Sequence, residues 1–413
     1  MYHLETAQPS LALHEVRTDN PKPRVLVIAL QSGKNADGGL ESLTQLVEHY
    51  RATHLHLITQ VETRKTQRWR RAGHCVTILP LPYHPGGKAG GGAWGTVLRV
   101  WTHLRWNLAI AWLSWQNRIE VAHVNDPHAL WHSAFGLRLL NVPVLYNIRD
   151  TKPRLSRSER IKWRFGFSLT SRQVVLSREM ASRWCEALFN SSVPGSLSYV
   201  YSIVESRRQA SPTTEEKQAA RERLGLARDA RLVGYVASFS PKKAQLKFIE
   251  SAGPLLEHLG PGSQVLFVGD FLPGTDDYSR TCLEAHSKLN LGDRVRFCGY
   301  QSAMTDWYLA LDLVLVATEN EGLARCMIEA LAQGTPVISF DVSSAREILE
   351  VGECGRVVSH GDYLGLLEAA RIALANQPIL RRWSANGIRL SNQLFSPEEN
   401  AAAYERTYRA LSS

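Results

Sequence analysis

The sequence predicts an α/β protein made of two doubly wound parallel-sheet domains. Three observations predict it. Apolar runs of strand length alternate with helical patterns along most of the chain, the signature of parallel βαβ units. The alternation comes in two series, separated by a polar stretch near residue 205. At 413 residues the chain is also longer than one hydrophobic core usually organises.

The first series opens after residues 1–23, a polar segment without a signal-peptide core that reads as a loose arm. Residues 24–30 (RVLVIAL) form a buried-type strand, residues 31–39 a glycine-bearing loop, and residues 40–49 a helical pattern. Strands follow at 54–59, 76–79, 119–124, 142–148 and 174–176, with a helix over 129–140. A glycine cluster spans residues 86–95. The second series begins after the polar stretch 204–214, with a helix over 215–224 and strands at 232–236, 265–269, 295–298, 313–317 and 337–340. A last helix covers about 397–411. The expected division is therefore an arm (1–23), a first domain (24–205), a second domain (206–396) and a terminal helix (397–413).

Charge is unevenly divided. Residues 1–205 carry 25 Lys and Arg against 14 Asp and Glu, whereas residues 206–413 carry 23 against 25. A basic first half suits an anionic partner. No nucleic-acid motif accompanies it, so no nucleic-acid partner is expected. The six cysteines form no CxxC pair, which removes the usual zinc and redox signatures, and scattered thiols fit a reducing cytoplasm. No stretch approaches the roughly 20 apolar residues of a membrane span.

Residues 313–340 (LVLVATENEGLARCMIEALAQGTPVISF) carry the most chemistry. They read as strand, loop, helix over 324–332, a break at Gly334 and Pro336, and a second strand. Glu321 stands in the loop, and Glu329 lies inside the helix, one to two turns from its start. A helix N-terminus attracts phosphate. Gly322 lets a ligand approach the backbone. Carboxylates accept paired hydroxyls, as on a ribose or hexose. Together these groups suit a nucleotide-sugar.

This segment resembles the donor-binding motif of the retaining GT-B glycosyltransferases of family 4. Their pattern is Glu, Gly-Phe-Gly or similar, then Glu-Ala-Leu-Ala-x-Gly-x-Pro-Val. Here it stands as Glu321-Gly322-Leu323-Ala324, then Glu329-Ala330-Leu331-Ala332-Gln333-Gly334-Thr335-Pro336-Val337. The resemblance spans residue 24 to about 410 and is strongest over 232–350. It implies a GT-B fold, in which two Rossmann-like domains face each other across a cleft, a UDP- or GDP-type sugar donor as substrate, no cofactor, no metal, and a terminal helix packed back on the first domain.

Other positions follow residue by residue. Where the family has Val-Gly-Arg-Leu and a later Lys-Gly, this chain has Val236-Ala237-Ser238-Phe239 and Lys243-Ala244. The resemblance makes Lys243 the diphosphate cation. It puts Ser238 where the family arginine stands, with Lys242 or Arg325 as substitutes. Gly38-Gly39 resembles the glycine pair before the first helix. Gly269 and Tyr300 resemble strand-end positions near the base, or are ordinary strand-end turns. The backbone of Leu323 and Ala324 faces phosphate or sugar. Glu321 orients the donor sugar and Glu329 holds the ribose. His123-Val124-Asn125-Asp126 is similar to a family cleft motif, which puts Asp126 and Asn125 near the reacting centre on the acceptor side. His123 is either a contact there or a core histidine. Arg149 takes the place of a family histidine. Tyr201 to Glu205 replaces the family's Asn-Gly-Val-Asp interdomain turn and keeps neither Asn nor Gly.

The resemblance thus implies transfer of a sugar from a nucleotide-diphosphate donor to a saccharide or lipid-linked acceptor, in polysaccharide or glycolipid assembly. A GT-B sugar-nucleotide epimerase or hydrolase, or a non-catalytic sugar-nucleotide-binding subunit, stays open beside it. Two basic aromatic regions remain. Trp94, Val97, Leu98, Trp101, Leu104, Leu108, Trp112 and Trp115 fall on one helical face, flanked by Arg99, Arg105 and Arg118. That stripe is expected to be the core-facing side of a helix, with a membrane interface as the alternative. Residues 149–164 hold seven basic side chains, suited to anionic lipid at the inner face of the membrane or to an acceptor phosphate.

Overall fold

A computed structural model describes residues 22–31, 38–51, 53–82, 92–151, 155–189, 195–259 and 262–413. The arm expected at the N-terminus, most of the first glycine-bearing loop, the glycines at 86–91 and residues 152–154 of the basic run lie outside the described residues.

The first half of the chain runs β1 (Arg24–Ile28), α1 (Gly38–His49), β2 (His54–Thr59), α2 (Arg64–Arg71), β3 (Cys75–Ile78), α3 (Gly92–Gln116), β4 (Val121–Val124), α4 (Pro127–Leu139), β5 (Val144–Ile148), α5 (Arg157–Ser168), β6 (Arg172–Val175), α6 (Arg178–Phe189) and β7 (Leu197–Tyr199). These strands form one parallel sheet in the order β3-β2-β1-β4-β5-β6-β7. The second half runs α7 (Thr214–Arg223), β8 (Arg231–Val236), α8 (Gln245–Ala252), β9 (Ser263–Val268), α9 (Asp277–Lys288), β10 (Val295–Phe297), α10 (Met304–Ala310), β11 (Leu313–Val316), α11 (Arg325–Ala332), β12 (Val337–Phe340), β13 (Gly355–Val358), α12 (Tyr363–Leu374), α13 (Gln377–Leu394) and α14 (Pro397–Ser412). Its strands form a second parallel sheet, β10-β9-β8-β11-β12-β13. Two such domains facing each other are the GT-B arrangement.

Both faces of each sheet are covered, which explains why the strands read as continuous apolar runs. In β1, Val25 and Val27 pack with α1, α2 and α14, while Leu26 and Ile28 pack with α3 to α6. In the second sheet, Val233 and Tyr235 meet α8, α9 and α12, and Leu232 and Val314 meet α10 and α11. One cluster of buried apolar side chains runs through both domains. Among the described residues, no helix is long and apolar enough to cross a membrane.

The chain passes between the domains twice, after β7 and again between α13 and α14. The two passes touch: Val204 N–H donates to the Phe395 carbonyl at 3.1 Å, and the Tyr201 ring meets Phe395 edge-on. The last helix lies on the first sheet, where Tyr408 and Tyr50 share a hydrogen bond at 2.8 Å and Glu405 accepts from Arg51 N–H at 2.8 Å.

Two expectations are corrected. The first helix starts at Gly38, not at residue 40, so Gly38 and Gly39 form its first turn. The tryptophan stripe of α3 is not the core side. Trp106, Ile110 and Leu113 fill the core, and Trp94 and Trp115 are 84% and 71% exposed. The helix docks through its other side, where Asn107 Oδ1 accepts from Gly136 N–H at 2.9 Å and Asn107 Nδ2 donates to the Trp131 carbonyl.

Candidate active site

In both sheets the strands are parallel, so their carboxyl ends and the loops after them collect at the cleft, the usual ligand position in open α/β sheets. β11 is fully buried and delivers Glu321 there, 8% exposed. α11 then starts at Ala324, which caps it with no side-chain hydrogen bond. No side chain caps the amides of its first turn, the arrangement in which a helix start can receive an anion.

Lys243 comes from β8. A short turn, Pro241–Lys243, follows that strand, with proline at its first position. Tyr235 OH donates to the Lys243 carbonyl at 2.6 Å, and Glu319 N–H donates to the Lys242 carbonyl at 2.9 Å. These bonds aim Lys243 Nζ at Glu321 Oε1, with which it forms an ion pair. Burial works against the Lys243 charge. The Glu321 carboxylate more than offsets it and holds the pKa above the usual lysine range.

Glu329 sits one turn further on. Tyr308 OH donates to its Oε2 at 2.8 Å, and Arg325 Nε pairs with its Oε1 at 2.5 Å. The same guanidinium crosses to the first domain, donating to Ser42 Oγ at 2.8 Å and Gln45 Oε1 at 2.7 Å on α1. Gly38 borders its aliphatic stem; a Cβ there would lie 3.5 Å from Arg325 Cδ. Arg325 therefore joins the start of α1 to the start of α11. Between the two acids lies Cys326, whose thiol burial pushes up to about 12, so the sulfur stays neutral.

The domains meet closely beside this cluster. A Cβ on Gly322 would lie 2.3 Å from the Arg149 carbonyl oxygen, so only glycine fits against that backbone. Thr151 Oγ1 donates to the Glu321 carbonyl at 2.9 Å, and Asn320 Nδ2 donates to the Thr151 carbonyl. Lys242 pairs with Asp150 at 2.6 Å. Glu347 accepts from Glu179 N–H at 2.6 Å at the start of α6 and pairs with Tyr201 OH. Asp150, Thr151, Asn320, Tyr308, Ser42, Gln45 and Glu347 were not found from the sequence. Asn320 adjoins Glu321 and Asp150 adjoins Arg149, but their pairing spans 170 positions.

On the first-domain side two of the expected residues have structural bonds and the third, His123, leaves the cleft. Asp126 is the N-cap of α4, ahead of Pro127. Its Oδ1 accepts from Ala129 N–H at 2.8 Å and its Oδ2 from Leu30 N–H at 2.9 Å. Asn125 is buried and accepts from Asn147 Nδ2 at 3.4 Å. His123 is not a cleft contact. It is fully buried, stacks on Tyr404, and shares a 2.6 Å hydrogen bond with Tyr408 OH. Burial, with Arg149 adding, lowers its pKa to about 3, so the ring is neutral. Arg149 is half-buried, its charge reaches His123, and its backbone meets Gly322 at the contact between the domains.

The remaining positions border the second sheet. Ser238 is half-buried and its carbonyl accepts from Gln245 Nε2 at 2.9 Å. A Cβ on Gly269 would lie 1.8 Å from the Ala237 carbonyl oxygen, so glycine there lets two strand-end loops touch. Tyr300 is exposed. Leu323 and Ala324 bury their side chains. Among the described residues no group of three or more His, Cys, Asp or Glu side chains is placed to hold a metal ion.

Residues 216–390 match the family model of glycosyl transferases group 1. The lipopolysaccharide core biosynthesis mannosyltransferase LpsB of Rhizobium meliloti is 29% identical over 198 residues, 48% of this chain and 56% of that protein. A D-inositol 3-phosphate glycosyltransferase of Gordonia bronchialis is 31% identical over 210 residues, 49% of this chain and 45% of that protein. The chain thus spans about half the length of the curated relatives it matches. Among solved structures, Anabaena Alr3699/HepE in complex with UDP-glucose superposes with a TM-score of 0.74 at 18% identity, covering 94% of this chain and 99% of that one. Sucrose-phosphate synthase from Thermosynechococcus elongatus gives 0.75 at 21% identity, with the same coverage of 94% and 99%. Both share this fold.

Proposed function

We propose that this chain is a glycosyltransferase of the family 4 type, moving a sugar from a nucleotide-diphosphate donor to an acceptor hydroxyl with the anomeric configuration retained and without a metal. One observation carries the reading: Lys243, Glu321, Arg325 and Glu329 converge at the uncapped start of α11, opposite the start of α1. The match of residues 216–390 to glycosyl transferases group 1 covers every one of them.

In this reading the diphosphate takes the Lys243 ammonium from Glu321, whose freed carboxylate accepts donor-sugar hydroxyls. Glu329 holds the ribose. Arg325 supplies the second cation that Ser238 does not. The acceptor oxygen attacks the anomeric carbon on the face that the leaving group departs from. The bond from that carbon to the β-phosphate oxygen breaks with its electron pair going to the phosphate, which takes the hydroxyl proton. Fixed positive charge aimed at the leaving group acts most strongly where water is excluded. UDP-sugars are the first donors to try, since HepE has been solved with UDP and UDP-glucose. LpsB, a lipopolysaccharide core mannosyltransferase, favours a saccharide or lipid-linked acceptor in polysaccharide or glycolipid assembly.

A thermal-shift screen of UDP-, GDP- and ADP-sugars tests the donor site. At least one class should raise the melting temperature, and Glu329→Ala should abolish most of that rise. No shift with any donor would remove the site. With the donor known, sugar should appear on an added acceptor; free epimer or free sugar alone would assign the pocket to an epimerase or hydrolase. Binding without turnover would assign it to a non-catalytic subunit.

A further inference from the structure

The outer surface of the first domain is built the wrong way round for a face that meets only water. α3 turns Trp94, Trp101, Leu104, Leu108, Trp112 and Trp115 outward, while Thr102, Asn107 and Ser114 are buried on its inner side. Leu139 of α4 and Ile161 of α5, 76% and 69% exposed, continue the apolar surface on the same side of the sheet. Patches of this kind on a chain mark an interaction site.

The occupant follows from charge. The segments of α3, α4 and α5 hold seven basic residues, Arg99, Arg105, Arg138, Arg157, Arg160, Lys162 and Arg164, against one acid, Glu159. That acid is engaged at the start of α5, accepting from Ser156 N–H at 3.0 Å. A second copy of the chain would bring like charge against like charge, since a two-fold contact sets the patch on itself. An anionic lipid surface complements it. Tryptophan is enriched at the headgroup level, and basic side chains beside it add attraction to anionic lipid. α3 lies on such a surface rather than through it, because no described helix is long and apolar enough to cross.

We infer that the α3–α4–α5 face binds the surface of an anionic bilayer. This binding stands apart from the proposed sugar transfer, but the geometry joins them. α3 and α5 each follow a strand of the parallel sheet, so both begin on its carboxyl-end side, where the cleft is. The basic start of α5 and the tryptophan-bearing start of α3 thus lie toward the cleft end of the domain, so a lipid-linked acceptor would enter from the membrane at that end.

Full-length protein mixed with phosphatidylcholine vesicles, with or without phosphatidylglycerol, tests this by co-sedimentation and tryptophan fluorescence. Binding should need the anionic lipid, weaken as salt rises, and shift the emission to the blue. The Trp101→Glu/Trp112→Glu double variant should lower the partition coefficient at least about tenfold. Arg105→Glu/Arg138→Glu, which leaves the apolar contacts in place, should lower it by a similar factor at low salt. Circular dichroism and the donor-induced melting shift of both variants should match the parent. Equal sedimentation with and without anionic vesicles, with no blue shift, overturns the inference. A dimer in light scattering that the tryptophan variant dissociates would overturn it in favour of a second copy of the chain.

Discussion

The two sides of the cleft use their polar groups differently. On the second domain, Lys243, Glu321, Arg325 and Glu329 pair with one another, with Tyr308 or with α1, and every one of those partners is a side chain. On the first domain, Asp126 is bonded to two backbone amides and His123 lies sealed against Tyr404 and Tyr408. Charge paired with charge near an opening is available for chemistry. Charge paired with backbone holds the fold. A sequence motif does not distinguish the two, because both present the same residue types after a strand.

Substitutions can break or sharpen that contrast. The largest effect should be Lys243→Ala, which removes a cation from the proposed leaving group. Turnover should fall about a hundredfold or more while the urea midpoint barely moves. A variant that unfolds easily but turns over normally would place Lys243 with the structural group.

His123 should show the opposite behaviour, visible in stability alone. Its folded pKa of about 3 lies below its ordinary 6.5, so the unfolded chain binds the extra proton as pH falls below that ordinary value. Stability is then full above pH 6.5 and declines toward pH 3, by about 2 kcal/mol between pH 7 and pH 5. Urea melts of the parent and of His123→Gln across that range should differ in slope, the variant being flatter. Parallel slopes would show that the ring does not titrate this way.

Asp126→Ala comes next. Losing the cap of α4 and orphaning the Leu30 amide should cost about 1–2 kcal/mol of stability, with donor-induced melting shifts kept. Loss of turnover at unchanged stability would give Asp126 a role on the acceptor side in addition to its cap. The smallest effect should come from Lys242→Ala. Its pair with Asp150 is half-exposed, and such pairs contribute under about 1 kcal/mol. A larger drop in the melting temperature would make this bridge a real clamp between the domains.

How much of this was legible depended on how local the information was. The strand–loop–helix–strand unit around Glu321 came through nearly to the residue, with the helix at Arg325–Ala332 against the expected 324–332. Its apolar periodicity, glycine and proline all lie within one segment. The edge strands Leu197–Tyr199 and Gly355–Val358 did not, because three or four residues carry little pattern. The stripe on α3 was located correctly and assigned to the wrong side. Periodicity finds a face, but Trp106, Ile110 and Leu113 make the opposite face apolar as well, and only packing decides between them. The cap at Asp126 could have been read from Asp126-Pro127 ahead of a helix. The bridge from Arg325 to Ser42 and Gln45 could not, since it joins segments about 280 positions apart.

The two passes between the domains run side by side and are stitched together at Val204 and Phe395. A body hung on two adjacent pins swings about one line and resists twisting about others. Twisting is the movement that would part Arg325 from Ser42 and Gln45, so the paired crossings keep the second domain in register with the first helix across the cleft.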